Sequence, residues 1–137
     1  MSLLNNFHFI GELLLQHGGF TYFKVPASLG VVWHGAVADA CEKVGARAWC
    51  SGPPCTCQLS SGRCIHTPLS VDCKNPMLPL SKLVCNSKPN YNCSALNGVF
   101  THYDDNNYDC GNVNGKWCTN SRFKGGHKIY ALCVRPE

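Results

Sequence analysis

At 137 residues the chain is long enough to bury one core, and its 11 cysteines read as a disulfide framework made in an oxidising compartment. Twelve Lys and Arg stand against eight Asp and Glu with no basic run, which argues against nucleic acid as the main partner, because phosphate recognition needs a clustered basic stripe. No apolar run approaches the roughly 20 residues that cross a membrane, and the paired C-x-x-C or H-x-x-x-H ligand sets of a zinc module are missing.

Residues 1–19 contain no cysteine. Phe9, Ile10, Leu13 and Leu14 keep a helical interval that Gly18-Gly19 stops, so this stretch reads as an N-terminal extension with a short helix, ahead of a single cysteine-rich domain over 20–137. The stretch makes a poor export signal: it lacks a basic start, and Glu12 interrupts its apolar residues. An oxidising compartment then implies a trimmed signal or a module of a larger ectodomain.

Phe20 to Val25 is rich in aromatic and β-branched residues and runs into Pro26, which predicts a strand with Phe20, Tyr22 and Lys24 on one face and Thr21, Phe23 and Val25 on the other. Trp33, Ala36, Val37, Ala40, Cys41 and Val44 recur at i, i+3, i+4, i+7, i+8 and i+11, one stripe of an α-helix, and Gly45 stands where that helix would end. Because Cys41 lies in the stripe, any disulfide it makes pins the helix to whatever it packs on.

From Cys50 to about Asn97, Gly, Pro and Ser at turn positions predict irregular backbone held by bridges. Within it, Leu78 to Cys85 reads as a second short helix with Leu80, Leu83 and Val84 on one side. Val99 to Tyr103 and Lys116 to Thr119 read as strands around the turn formers DDNNYDCGNVNG. Ile129 to Val134 closes the pattern as a strand with Ile129, Ala131 and Cys133 on one face, the candidate partner for the Trp33 helix.

The strand, the W-x-x-A-x-x-A-C-x-x-x-G-A helix and the terminal Y-A-L-C-V strand together resemble the two ends of C-type lectin-like domains. The resemblance covers about 45 residues. It implies a disulfide-rich α+β fold, one or two helices packed on a small antiparallel sheet with long irregular loops, and by position it implies bridges Cys41–Cys133 and Cys110–Cys118. A crosslink closing about 90 residues also restricts the unfolded chain strongly, which agrees with the first pair. The central W-I-G-L type motif is missing. Lys88-Pro89-Asn90 stands for Glu-Pro-Asn, and Trp117-Cys118-Thr119 for Trp-Asn-Asp, so the classical calcium and sugar motifs of the family are absent. More loosely, the cysteine pattern resembles modules of mosaic ectodomain proteins of marine invertebrates.

Asp104, Asp105, Asn107 and Asp109 are the candidate metal ligands, because calcium takes six to eight oxygens and this segment offers a dense set. A turn in which Asx side chains cap their own backbone explains the same residues and is preferred to calcium. Tyr103, Asn107, Tyr108, Asn114 and Trp117 are the candidate ligand-binding residues, since aromatic faces beside amides and hydroxyls suit a sugar or a protein epitope. Cys64 near His66 is a chance pairing in a chain so rich in both, and Asn92-Cys93-Ser94 is a weak glycosylation pattern. No nucleophile elbow, phosphate loop or H-E-x-x-H occurs.

The sequence is accordingly read as a secreted or extracellular binding module, not an enzyme, that recognises a glycan or an extracellular protein through its upper loops. An odd cysteine count leaves a thiol for an intermolecular disulfide. A structural or adhesion module with no small ligand is the alternative, and a secreted hydrolase ranks below both.

Overall fold

The computed structural model describes residues 11–27, 36–50, 63–70, 78–86, 93–102, 109–113, 116–117 and 129–137. Among these, the elements run β1 (Glu12–His17), β2 (Phe20–Ala27), α1 (Ala36–Lys43), β3 (Arg47–Trp49), β4 (Cys64–Ile65), α2 (Leu78–Cys85), a 3-10 turn (Ser94–Leu96), β5 (Val99–His102), β6 (Asp109–Val113), β7 (Lys116–Trp117) and β8 (Ile129–Pro136). The sheet order is β1-β2-β8-β5-β6-β7, with β3 paired to β8 and to β4 beside that path.

The first element corrects the sequence reading. Residues 12–17 are a strand, not a helix, paired antiparallel to β2 in a hairpin that His17 and Phe20 close. Gly18 and Gly19 have φ values of 59° and 86°, and positive φ at both central residues is what a two-residue hairpin turn with the twist of its strands requires. The same Gly-Gly that could end a helix therefore turns a hairpin. Because β1 is a strand of this sheet, a domain boundary between residues 19 and 20 would cut through the hairpin. Phe9 and Ile10 lie outside the described residues.

The helix α1 is where its stripe puts it. Val37, Ala38 and Cys41 are buried, with Ala36, Ala40 and Val44 packed at the margin, while Trp33 lies outside the described residues. Its end is a Schellman motif: Ala46 N–H donates to the Cys41 carbonyl at 3.0 Å, Gly45 N–H donates to the Glu42 carbonyl at 3.1 Å, and Gly45 takes φ 74°.

The central strands β2 and β8 run antiparallel over their full length, Phe20 opposite Pro136 and Ala27 opposite Ile129. Both of their faces are covered. Phe23, Val25, Ala131 and Cys133 join α1, Ala48 and Phe100 in one cluster, while Tyr22, Leu132 and Val134 join Trp49, Leu80, Leu96 and Val99 in the other. Cys41 and Cys133 are bonded, with Cα atoms 5.5 Å apart, so the helix is tied to the middle of the sheet.

The sheet is mixed, which corrects the antiparallel expectation. β5 lies parallel to β8, and β3 parallel to β4. Such pairs join segments distant in the chain and leave no turn signature. Helix α2 spans the expected residues, but Leu83 is 46% exposed while Leu80 and Ser81 are fully buried, so its inner face is rotated away from Leu83. Cys85 at its end is bonded to Cys93, ahead of the 3-10 turn.

Candidate functional site

Most residues singled out from the sequence fall outside the described residues: Tyr103, Asp104, Asp105, Asn107, Tyr108, Asn114 and Cys118. Asp109 and Cys110 lie on β6, where they pair with His102 and Thr101, and Trp117 lies on β7 opposite Asn112. The β6–β7 pair thus sits at one end of the strand order and β1 at the other. No group of three or more potential metal ligands occurs among the described residues, and no described helix is long and apolar enough to cross a membrane.

At the β1–β2–β8 side of the sheet the structure opens a cavity of about 490 Å³ that the sequence did not point to. Its polar lining comes from Gln16, Thr21, Arg47, Arg135 and Glu137, and its apolar wall includes Ile65 and Val134. The strand pairing assembles it: Gln16 lies opposite Thr21, and Thr21 opposite Arg135, so these residues form one rung across three strands. Arg47 is opposite Val134 on the next strand. No local spacing signals such a site, because its members come together only through the register of distant segments.

A buried polar network holds residues 63–70 against the sheet. Thr67 Oγ1 accepts hydrogen bonds from Tyr22 OH at 2.5 Å, from the Trp49 indole N–H at 3.0 Å and from Leu69 N–H at 3.3 Å. Ser70 continues the network, accepting from Thr67 N–H and donating to the Cys50 carbonyl. Tyr22 and Trp49 are fully buried and meet edge to face, their centroids 5.9 Å apart. At the rim of the same segment Arg63 donates to Glu42 and Asp39 on α1, and those hydrogen bonds, Glu42 foremost, raise its pKa.

Lys24 is buried although charged side chains rarely are. Its ammonium donates to the Ala95 carbonyl at 2.7 Å and lies 4.7 Å from the centre of the Tyr130 ring, with Glu12 at 3.9 Å. A charge-assisted hydrogen bond and an aromatic face together replace the lost water. Lys24 is thereby occupied as a clamp between β2 and the 3-10 turn.

Two acids in the core respond to alkali. Burial raises the Tyr22 phenol above its ordinary 10.0, its hydrogen bond with Thr67 opposing, and burial pushes the Cys64 thiol from 9.0 up to about 12. Both folded values exceed the unfolded ones, so the neutral forms support the native state below the unfolded values and that support is lost as pH rises past them. The expected result is a melting temperature that is level up to about pH 9 and falls between 9 and 12, with a shallower fall in Cys64→Ala. Calorimetric melting across that range checks it, and an unchanged slope in the variant would refute the assignment to Cys64.

No protein-family model matches this sequence, and no curated protein or solved structure matches it either.

Proposed function

We propose that the chain is an extracellular binding module of C-type lectin-like architecture, which recognises a glycan or a protein ligand through the segment between Tyr103 and Trp117. The observation that carries the reading is the Cys41–Cys133 bridge, which joins the amphipathic helix to the last strand. Strands β2 and β8, paired side by side over their whole length, add to it. Paired cysteines favour an oxidising environment and hence export.

In this reading the sheet and α1 are the scaffold, and Tyr103, Tyr108 and Trp117 with the amides of Asn107 and Asn114 supply flat apolar area and directional hydrogen bonds. Calcium, if it takes part, is held by Asp104, Asp105, Asn107 and Asp109. Glycan-array binding with and without a chelator tests the proposal. Binding to a defined set of glycans is the expected result, and a flat response in both conditions, together with no captured extracellular protein, would leave only a structural module. Calcium binding predicts a rise in melting temperature on adding the ion that Asp104→Ala with Asp105→Ala abolishes; an unchanged melting curve in the parent protein excludes it.

A further inference from the structure

Strand β1 stands at one end of the strand order, so among the described residues one of its sides is paired, with β2, and the other is an open edge. We propose that this edge is the contact between two copies of the chain, the β1 strands pairing antiparallel across a two-fold axis so that one sheet runs through both.

A strand edge presents a row of N–H and C=O groups, which proteins normally blunt with Lys, Pro or a covering element because another strand can pair with them. β1 reads Glu-Leu-Leu-Leu-Gln-His, without Lys, Arg or Pro, and its Leu13 is 54% exposed. The other exposed large apolar side chain among the described residues is Leu83 on α2, and α2 is in contact with β1. Both exposed leucines therefore belong to touching elements at one margin of the sheet.

A bulge in β1 selects a second copy as the occupant. Leu13 lies opposite Phe23 and Leu15 opposite Tyr22, so Leu14 is an extra residue in the pairing with β2. Phe23 belongs to the face under α1, and Tyr22 to the opposite face, where Leu14 and Leu15 also pack. By strand alternation Glu12 and His17, opposite Lys24 and Phe20, share the Tyr22 face, while Gln16, opposite Thr21, shares the α1 face with Leu13. The order of faces along the six residues is therefore the same read from either end. A second β1, related by a two-fold axis between Leu14 and Leu15, meets the first with each side chain on the matching face: Glu12 opposite His17, Leu13 opposite Gln16 and Leu14 opposite Leu15. An unbulged strand could not pair in this register, because residues an odd number apart would point to opposite faces. The ends are chemically complementary too, since the carboxylate of Glu12, its side chain 66% exposed, meets an imidazole that donates N–H. Such a contact is isologous and closes on itself, so it yields a dimer and not a fibre.

Sedimentation velocity on the whole chain, from about 1 µM to about 500 µM, tests the contact. Dimers that grow with concentration are the expected result. Leu13→Lys and, separately, Gln16→Lys each place a charge on an exposed residue of the shared rung and are expected to weaken dimerisation by about tenfold or more. Having two such variants keeps the test intact should one of them not fold, which circular dichroism reads. Leu13→Lys combined with Gln16→Glu in one chain sets opposite charges across the axis, and it is expected to recover most of the loss, a recovery that a contact elsewhere on the molecule would not give. Folded Leu13→Lys or Gln16→Lys dimerising as well as the parent, or no recovery in the folded double variant, would overturn the proposal. A monomer at every concentration would also overturn it and leave the edge to a strand from another protein.

Discussion

Replacing Cys41 and Cys133 together by alanine is expected to remove about 4–5 kcal/mol of stability. The two residues are separated by 92 positions, and a crosslink that closes so long a loop removes more entropy from the unfolded chain than a short one does. A domain of this size has only about 5–15 kcal/mol in total, so the double variant should be partly or wholly unfolded at 37 °C. Both cysteines are fully buried, so in the parent protein a reductant reaches the bond only when the chain opens. Guanidinium titration of the two proteins measures the difference. A loss below about 1 kcal/mol would mean that packing of α1 alone, not the bridge, holds the helix to β8. The pair Cys85–Cys93, separated by only 8 positions, should matter less by the same entropy argument.

Thr67→Val is expected to cost about 2–5 kcal/mol although it changes the shape of the side chain little. The substitution leaves the Trp49 indole N–H and the Tyr22 hydroxyl, both fully buried, without the oxygen they share. Each unsatisfied buried group costs about 1–3 kcal/mol, far more than a net hydrogen bond contributes, because it keeps its desolvation penalty and loses its partner. Thr67→Ser retains the oxygen and loses one methyl, so its cost should be nearer 1 kcal/mol. Urea titration of the two variants separates the effects: equal losses would show that the methyl, not the hydroxyl, holds residues 63–70 against the sheet. Tryptophan fluorescence gives a second readout, since Trp49 is the indole whose N–H partner disappears.

What the sequence made legible and what it hid follow from the range of the interactions concerned. Helix α1 and strand β8 were readable because burial on one face imposes a period that shows within a dozen residues, and the Gly45 stop is local backbone geometry. The hairpin of β1 is ambiguous in sequence because a Gly-Gly pair serves both as a helix stop and as a two-residue hairpin turn, and because Leu13, Leu14 and Leu15 satisfy either period over so short a run. Pairing with β2 decides between them, and it is a tertiary fact. Leu83 is exposed for a related reason: Leu80, Leu83 and Val84 define a face only loosely over eight residues, and the buried Ser81 shifts it. The parallel pairs of β5 with β8 and of β3 with β4 are set by crossings between distant segments, for which the chain carries no local mark. The cavity beside β1, β2 and β8 is illegible on the same grounds, because its rung combines Gln16, Thr21 and Arg135 from those three strands. The functional reading of the residues from Tyr103 to Trp117 rests on side-chain chemistry, and within that range Asp109–Val113 and Lys116–Trp117 are strands.

Peptide mapping under non-reducing conditions tests the helix-to-strand tie most directly. Trypsin releases residues 25–43 with Cys41 as their sole cysteine, and residues 129–137 with Cys133 as theirs, so a crosslink between these two peptides admits one assignment. The structure requires that crosslinked species and its disappearance on reduction. Finding residues 25–43 joined instead to the peptide that carries Cys50 would contradict the bridge, and with it the arrangement of α1 on β8 from which the fold and the proposed function are argued.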